Sequence, residues 1–253
     1  MNLARELSGA NLITAQDVVK DFSGHRALNN VSLKVPEGSV YGLLGPNGAG
    51  KTTAISIMST LLAPSSGTVK IFGRDISKNP QRVKQDIGLV PQNLALYDEM
   101  TCQENLIYFG KMYGLSGNML NQRMKHCLEF TGLEKHATRR ISTFSGGMKR
   151  RANLAVGIIH DPKLLFLDEP TVGIDAQSRS LILEKIQHLG STGTSIIYTT
   201  HYLEEAEHLC STVAVIDGGQ IVITGKPQEL IHAHNCTTLQ DLFFKMTGKK
   251  IRD

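Results

Sequence analysis

The chain has 253 residues, of which 41% are hydrophobic and 20% charged, and it carries a net charge of +4 at pH 7. That length buries one substantial core with room for a smaller lobe, and the composition excludes a disordered or fibrous protein. The charge excess is too small, and its basic runs too short, to mark a nucleic-acid binder, and no apolar run reaches the roughly 18–20 residues that span a bilayer.

Residues 1–9 carry Arg5 and Glu6 and lack the apolar stretch of a secretory leader, so a cytoplasmic chain is expected. Residues 12–22 read as a strand, the Ser23-Gly24-His25 turn leads to a second at 27–35, and Pro36-Glu37-Gly38 turns into the apolar run 40–44. A helix is predicted at 53–62, stopped by Pro64-Ser65-Ser66-Gly67, then strands at 68–72 and 87–90 with a polar helix at 80–86 between them. From 93 to 160 the spacing becomes helical, at 102–113, 118–131 and 146–159, which predicts a helical insert in an α/β core. Beyond it come a strand at 164–167, a helix at 176–189, a strand at 195–199 and a helix at 202–210. A hairpin of 213–216 and 220–224 around Gly218-Gly219 precedes two helices from Pro227 onward. Short all-apolar strands between helices argue for a mostly parallel sheet covered on both faces. The four cysteines, Cys102, Cys127, Cys210 and Cys236, are too scattered for a zinc site and read as reduced thiols.

Three segments carry chemistry. Gly45-Pro46-Asn47-Gly48-Ala49-Gly50-Lys51-Thr52, followed by Thr53, sits between an apolar strand and a helix. Glycines at this spacing let backbone N–H groups turn toward phosphates, Lys51 adds a cation, and the Thr52 hydroxyl is a hard ligand suited to Mg²⁺. The strand 164–167 ends in Asp168 and Glu169. Carboxylates at the carboxyl end of a parallel strand face the ligand side of such a sheet, Asp168 toward the metal and Glu169 toward an attacking water. Ser145-Gly146-Gly147-Met148 opens a helix with a good N-cap and uncovered amides, followed by Lys149, Arg150 and Arg151, three cations that make most sense if a polyanion approaches this end.

With these segments in register the sequence resembles the ABC ATPase family. The shared positions are the phosphate loop 45–52, Gln92, the turn 144–148, the acidic strand 164–170, Asp175 in Val172-Gly173-Ile174-Asp175, and His201. The resemblance runs over about residues 12–231 and implies a P-loop NTPase of RecA-like α/β fold: one domain over 1–253, a catalytic core with an N-terminal antiparallel β subdomain at 1–92 and 160–253, and a helical subdomain at 93–159. It implies that Gln92 senses the metal and the attacking water, that His201 contacts the γ-phosphate, and that Phe22 stacks on adenine. By their own context His201 is a polar residue opening a helix and Phe22 is core. It further implies that Ser145, Gly146 and Gly147 serve an ATP held by a second copy, with Asp175 at the seam. Met148 stands where the family usually has Gln, removing a polar contact to the ribose.

The turn Ser145-Gly146-Gly147-Met148 and the segment 199–206 are most similar to the ABC-2 exporter branch that includes the daunorubicin-resistance ATPases. The implied activity is hydrolysis of Mg²⁺-ATP by a dimer on the cytoplasmic face of the membrane, powering separate transmembrane permease subunits. The segment from Gln92 to Met100 would receive a short helix of that partner. The alternatives are a soluble ABC ATPase of translation or chromosome maintenance, which generally carries two cassettes or a long coiled coil, and a phosphate-loop kinase, which would leave Ser145 to Met148 and His201 unexplained.

Overall fold

The structure, a computed structural model, describes residues 11–78 and 80–248. Arg5 and Glu6 at the start, and the basic tail residues Lys249, Lys250 and Arg252, lie outside the described residues. In chain order the elements are β1 (Asn11–Phe22), β2 (His25–Pro36), β3 (Val40–Leu44), α1 (Lys51–Met58), β4 (Ser66–Ile71), β5 (Arg74–Asp75), α2 (Pro80–Lys84) and β6 (Ile87–Val90). They continue with α3 (Cys102–Met112), α4 (Gly117–Thr131), α5 (Gly146–Gly157), β7 (Leu164–Asp168), α6 (Ala176–Ser191), β8 (Ser195–Thr200), α7 (Leu203–Leu209), β9 (Thr212–Asp217), β10 (Gln220–Gly225), α8 (Pro227–Ala233) and α9 (Leu239–Thr247). The chain divides into two compact units, one running to Lys84 and resuming at Ser195, the other Gln85–Thr194.

The first unit holds an antiparallel sheet of order β2-β1-β4-β5. Its pattern is that of a half-buried surface: Val31, Leu33 and Val35 of β2 point inward while Ser32 and Lys34 between them are exposed. The same unit places β3 parallel between β8 and β9, with β10 antiparallel on β9. All six residues of β8 are buried, as parallel strands covered on both faces require. Helix α1 starts two residues before the predicted position and ends at Met58, because Leu61 and Leu62 both bond back to the Ser56 carbonyl and Thr60 turns left-handed with φ 66°. The two-residue strand β5 carries no apolar alternation and has no counterpart in the sequence reading.

The second unit pairs β6 and β7 in parallel register from Ile87 opposite Leu164 to Val90 opposite Leu167. Residues 164–167 are fully buried. Helix α3 begins in a capping box in which the Thr101 side chain accepts from the Glu104 N–H and the Glu104 carboxylate accepts from the Thr101 N–H. Helix α4 stops at Gly132, left-handed at φ 64°, and α5 starts at the Ser145 cap.

All four cysteines are free thiols. Burial pushes Cys102 up to about 11 and Cys127 up to about 12, raises Cys210 further still, and leaves Cys236 half-buried.

Candidate functional site

In the first unit, residues 45–52 connect β3 to α1. Gly48 and Gly50 have φ of 80° and 105°, left-handed values that side chains resist. A Cβ on Gly50 would also sit 2.7 Å from the Ala27 carbonyl oxygen. Gly50 is the N-cap of α1 and offers no side-chain cap, so the first-turn N–H groups are left for a ligand. The Lys51 side chain is buried inside its own loop, donating from Nζ to the Gly45 carbonyl at 2.8 Å and to that of Pro46 at 3.2 Å. Ala49 is buried beneath the loop, while Asn47, Gly48 and Thr52 are exposed and Thr53 is half-buried. His201 follows β8, its ring centroid 4.2 Å from that of Tyr202. Phe22 closes β1 with 44% of its surface exposed and Lys20 Nζ 5.1 Å from its ring centroid, so it is not the core residue that its bare sequence context suggests. An exposed aromatic is what a stacking role needs.

In the second unit, β7 delivers Asp168 and Glu169, both nearly fully buried. Glu169 has φ 48°, a left-handed backbone that costs a non-glycine residue about 1–2 kcal/mol. Gln92 Nε2 donates to its Oε2 at 3.0 Å, and the Val172 N–H donates to its carbonyl oxygen at 3.3 Å. The structure thus brings Gln92 against Glu169, with Asp168 beside it in the chain. The loop that carries Gln92 is pinned by two buried asparagines: Asn153 bonds the Ala95 N–H and the Pro91 carbonyl, and Asn105 bonds the Tyr97 N–H and carbonyl.

The same unit joins the other predicted group. Ser145 Oγ accepts from the Met148 N–H at 3.2 Å, and Ser145 and Gly146 face solvent at the α5 N-terminus. Asp175 caps α6, its carboxylate accepting from the Ser178 N–H at 2.9 Å and from Ser178 Oγ at 2.7 Å, and these bonds hold it below the usual carboxylate range. Ser178 also closes on the turn 145–148, since a Cβ on Gly147 would lie 2.0 Å from its Oγ. Glycine at 147 is therefore a packing requirement as much as a way of exposing amides.

The three cations after Met148 are not presented to a polyanion. Lys149 pairs with Asp98 at 2.9 Å, Arg150 donates to the Gln92 and Val172 carbonyls, and Arg151 donates to the carbonyls of Thr131 at 2.7 Å and Gly132 at 3.1 Å. The α4 C-terminus and two irregular loops leave backbone oxygens without helical partners, and these oxygens claim Arg150 and Arg151, while a carboxylate holds Lys149. Sequence reading missed Asn105, Asn153 and Arg150 as supports of the site. A mid-helix asparagine, weak in helix propensity, was the available signal for the first two.

Thr52 in the first unit, and Gln92 and Asp168 in the second, each carry a hard oxygen of the kind Mg²⁺ takes. Among the described residues no group of three or more His, Cys, Asp or Glu side chains is placed to hold a metal ion. Among the described residues no helix is long and apolar enough to cross a membrane.

Residues 28–172 match the family described as ABC transporter. The sequence is 44% identical over 219 residues to the linearmycin resistance ATP-binding protein LnrL of Bacillus subtilis, covering 87% of this chain and 70% of that protein. It is 40% identical over 218 residues to the daunorubicin/doxorubicin resistance ATP-binding protein DrrA of Streptomyces peucetius, covering 86% of this chain and 66% of that one. Among solved structures it is similar, at TM-score 0.77 and 25% identity over 85% of this chain and 98% of the other, to a dimeric ATP-binding cassette in a post-hydrolysis state with ADP and phosphate bound.

Proposed function

The chain belongs to the ABC transporter family, as an ATP-binding and ATP-hydrolysing subunit, and from that premise we propose that two copies close on two ATP molecules to drive an exporter of the ABC-2 type. The observation that carries the catalytic part is Glu169: buried, left-handed in backbone, and hydrogen-bonded by Gln92 at 3.0 Å. A carboxylate fixed in this way acts as general base on the attacking water, a contribution of roughly 10²–10⁴-fold in rate. The amides of residues 45–52 and Lys51 bind the phosphates, Phe22 stacks on adenine, and His201 contacts the γ-phosphate. By the family resemblance Thr52, Asp168 and Gln92 are the residues that would hold Mg²⁺, which would neutralise phosphate charge.

Ser145, Gly146 and Gly147 meet the nucleotide of the second copy, with Asp175 at the seam. The exposed amides of the α5 N-terminus and the similarity to a dimeric cassette support this assignment. The membrane partner supplies the transmembrane path, and a short helix of it docks on the loop 92–100, where Tyr97 is 45% exposed and packs edge-on to Tyr108 at 5.0 Å. The exporter reading is supported by the resemblance of the turn 145–148 and the segment 199–206 to the ABC-2 exporter branch, and by similarity to ATP-binding proteins named for drug resistance and for Nod factor export; a place on the cytoplasmic face of the membrane is part of the same proposal.

Glu169→Gln should lower turnover at least ~100-fold while leaving ATP bound and the dimer trapped. Turnover at the wild-type rate removes Glu169 as the base. Ser145→Arg should spare nucleotide binding by the single chain and abolish hydrolysis, so full turnover in that variant defeats the two-copy arrangement.

A further inference from the structure

Arg150 lies on α5, five residues beyond the Ser145 cap and therefore about 7.5 Å along one rigid helix. Its guanidinium is half-buried and makes two bonds, Nη1 to the Gln92 carbonyl at 2.6 Å and Nη2 to the Val172 carbonyl at 3.1 Å. Both acceptors belong to residues that hold Glu169. The Gln92 side chain donates to its carboxylate, and the Val172 N–H donates to its backbone oxygen. The two loops meet at one planar fork, which a lysine cannot reproduce because its ammonium is a single point on a flexible stem. Burial lowers the guanidinium below its ordinary range, and the Glu169 charge works against that loss. A desolvated cation needs such compensation to persist, so the two carbonyls and the carboxylate are its reason for being there.

We infer that Arg150 is a positioning residue that ties the placement of the Ser145 turn to the alignment of Glu169 in the same chain. When a second copy's nucleotide settles on the Ser145 turn, α5 moves as a body and Arg150 carries the backbones at Gln92 and Val172 with it. Glu169 is then held for hydrolysis only when the turn is engaged. This rests on the roles proposed above for Glu169 and Ser145.

The test uses the full chain with Arg150→Gln and Arg150→Lys, beside Ser145→Arg and Glu169→Gln. ATP affinity is read with a fluorescent ATP analogue, dimerisation by size exclusion in Mg²⁺-ATP, and hydrolysis as kcat and KM. Arg150→Gln should bind the analogue and dimerise as wild type does, keep KM within twofold, and lose 10- to 100-fold in kcat. Arg150→Lys, which keeps the charge but reaches one carbonyl at a time, should fall between. Ser145→Arg should lose dimerisation as well, which separates contact with the second copy from its transmission. Wild-type kcat in Arg150→Gln overturns the inference. So does equal loss of analogue binding, dimerisation and kcat, in both Arg150 variants, since that is the mark of a structural role alone. Undiminished turnover in Glu169→Gln would instead sink the assignment of the base, a failure distinct from that of Arg150.

Discussion

Gly147 shows how much can depend on one missing methyl group. A Cβ there would lie 2.0 Å from Ser178 Oγ and 2.5 Å from Ser178 Cβ. Gly147→Ala should therefore cost roughly 1–3 kcal/mol by overpacking and displace the start of α6 together with Asp175. Chemical denaturation would measure the loss, and adding Ser178→Gly should recover most of it; if the double variant is no more stable than the single, the clash is not the cause. The motif residues themselves were legible in sequence, because phosphate chemistry demands glycines, Lys51 and paired carboxylates at set spacings. The φ of Glu169 was not legible, since a left-handed residue after a strand leaves no trace in residue type, and neither was the exposure of Phe22, which depends on where β1 ends in space.

Among the elements, α4 and α5 are joined by a cap that comes from a distance. Arg151 bonds the carbonyls of Thr131 and Gly132, the end of α4, from the next long helix. Arg151→Ala should remove two charge-assisted bonds, a loss of about 1–3 kcal/mol in denaturant unfolding, with ATP affinity unchanged. Helix periodicity placed α3, α4 and α5 to within a few residues, but a cap of this kind is tertiary and no local pattern announces it.

The start of β6 has a similar tie: the His160 Nε2 donates to the Ile87 carbonyl at 2.8 Å, and its ring stacks on Tyr113 at 3.5 Å. Burial lowers its pKa, and its Nδ1 is buried without a partner. The unfolded chain then takes up a proton near pH 6.5 that the folded chain refuses, so stability should be full above about 6.5 and decline as the pH falls below it. His160→Phe should flatten that decline; an unchanged slope would assign it to other groups.

For the whole molecule, ligand binding and stability are linked. A nucleotide at 100 times its dissociation constant adds about 2.7 kcal/mol to a fold that alone binds it. Mg²⁺-ATP should raise the melting temperature of the chain, and Lys51→Ala should largely remove that rise. An equal rise in both would place the nucleotide elsewhere. The α/β class and the parallel strands could be read in advance from apolar runs, because burial on two faces dictates that pattern, whereas the antiparallel N-terminal sheet was implied by the family resemblance. The early end of α1 was set by turn geometry instead, around Thr60, and the small strand β5 by the left-handed turn at Phe72 and Gly73.

The thiols offer a practical handle. Burial keeps Cys102, Cys127 and Cys210 protonated and out of reach, whereas Cys236 sits half-open between α8 and α9. A maleimide dye should consequently modify the natural chain at Cys236 alone. Each copy in a pair would then carry one fluorophore at an equivalent point, and energy transfer between them would follow opening and closing through the nucleotide cycle with no cysteine engineered in or out.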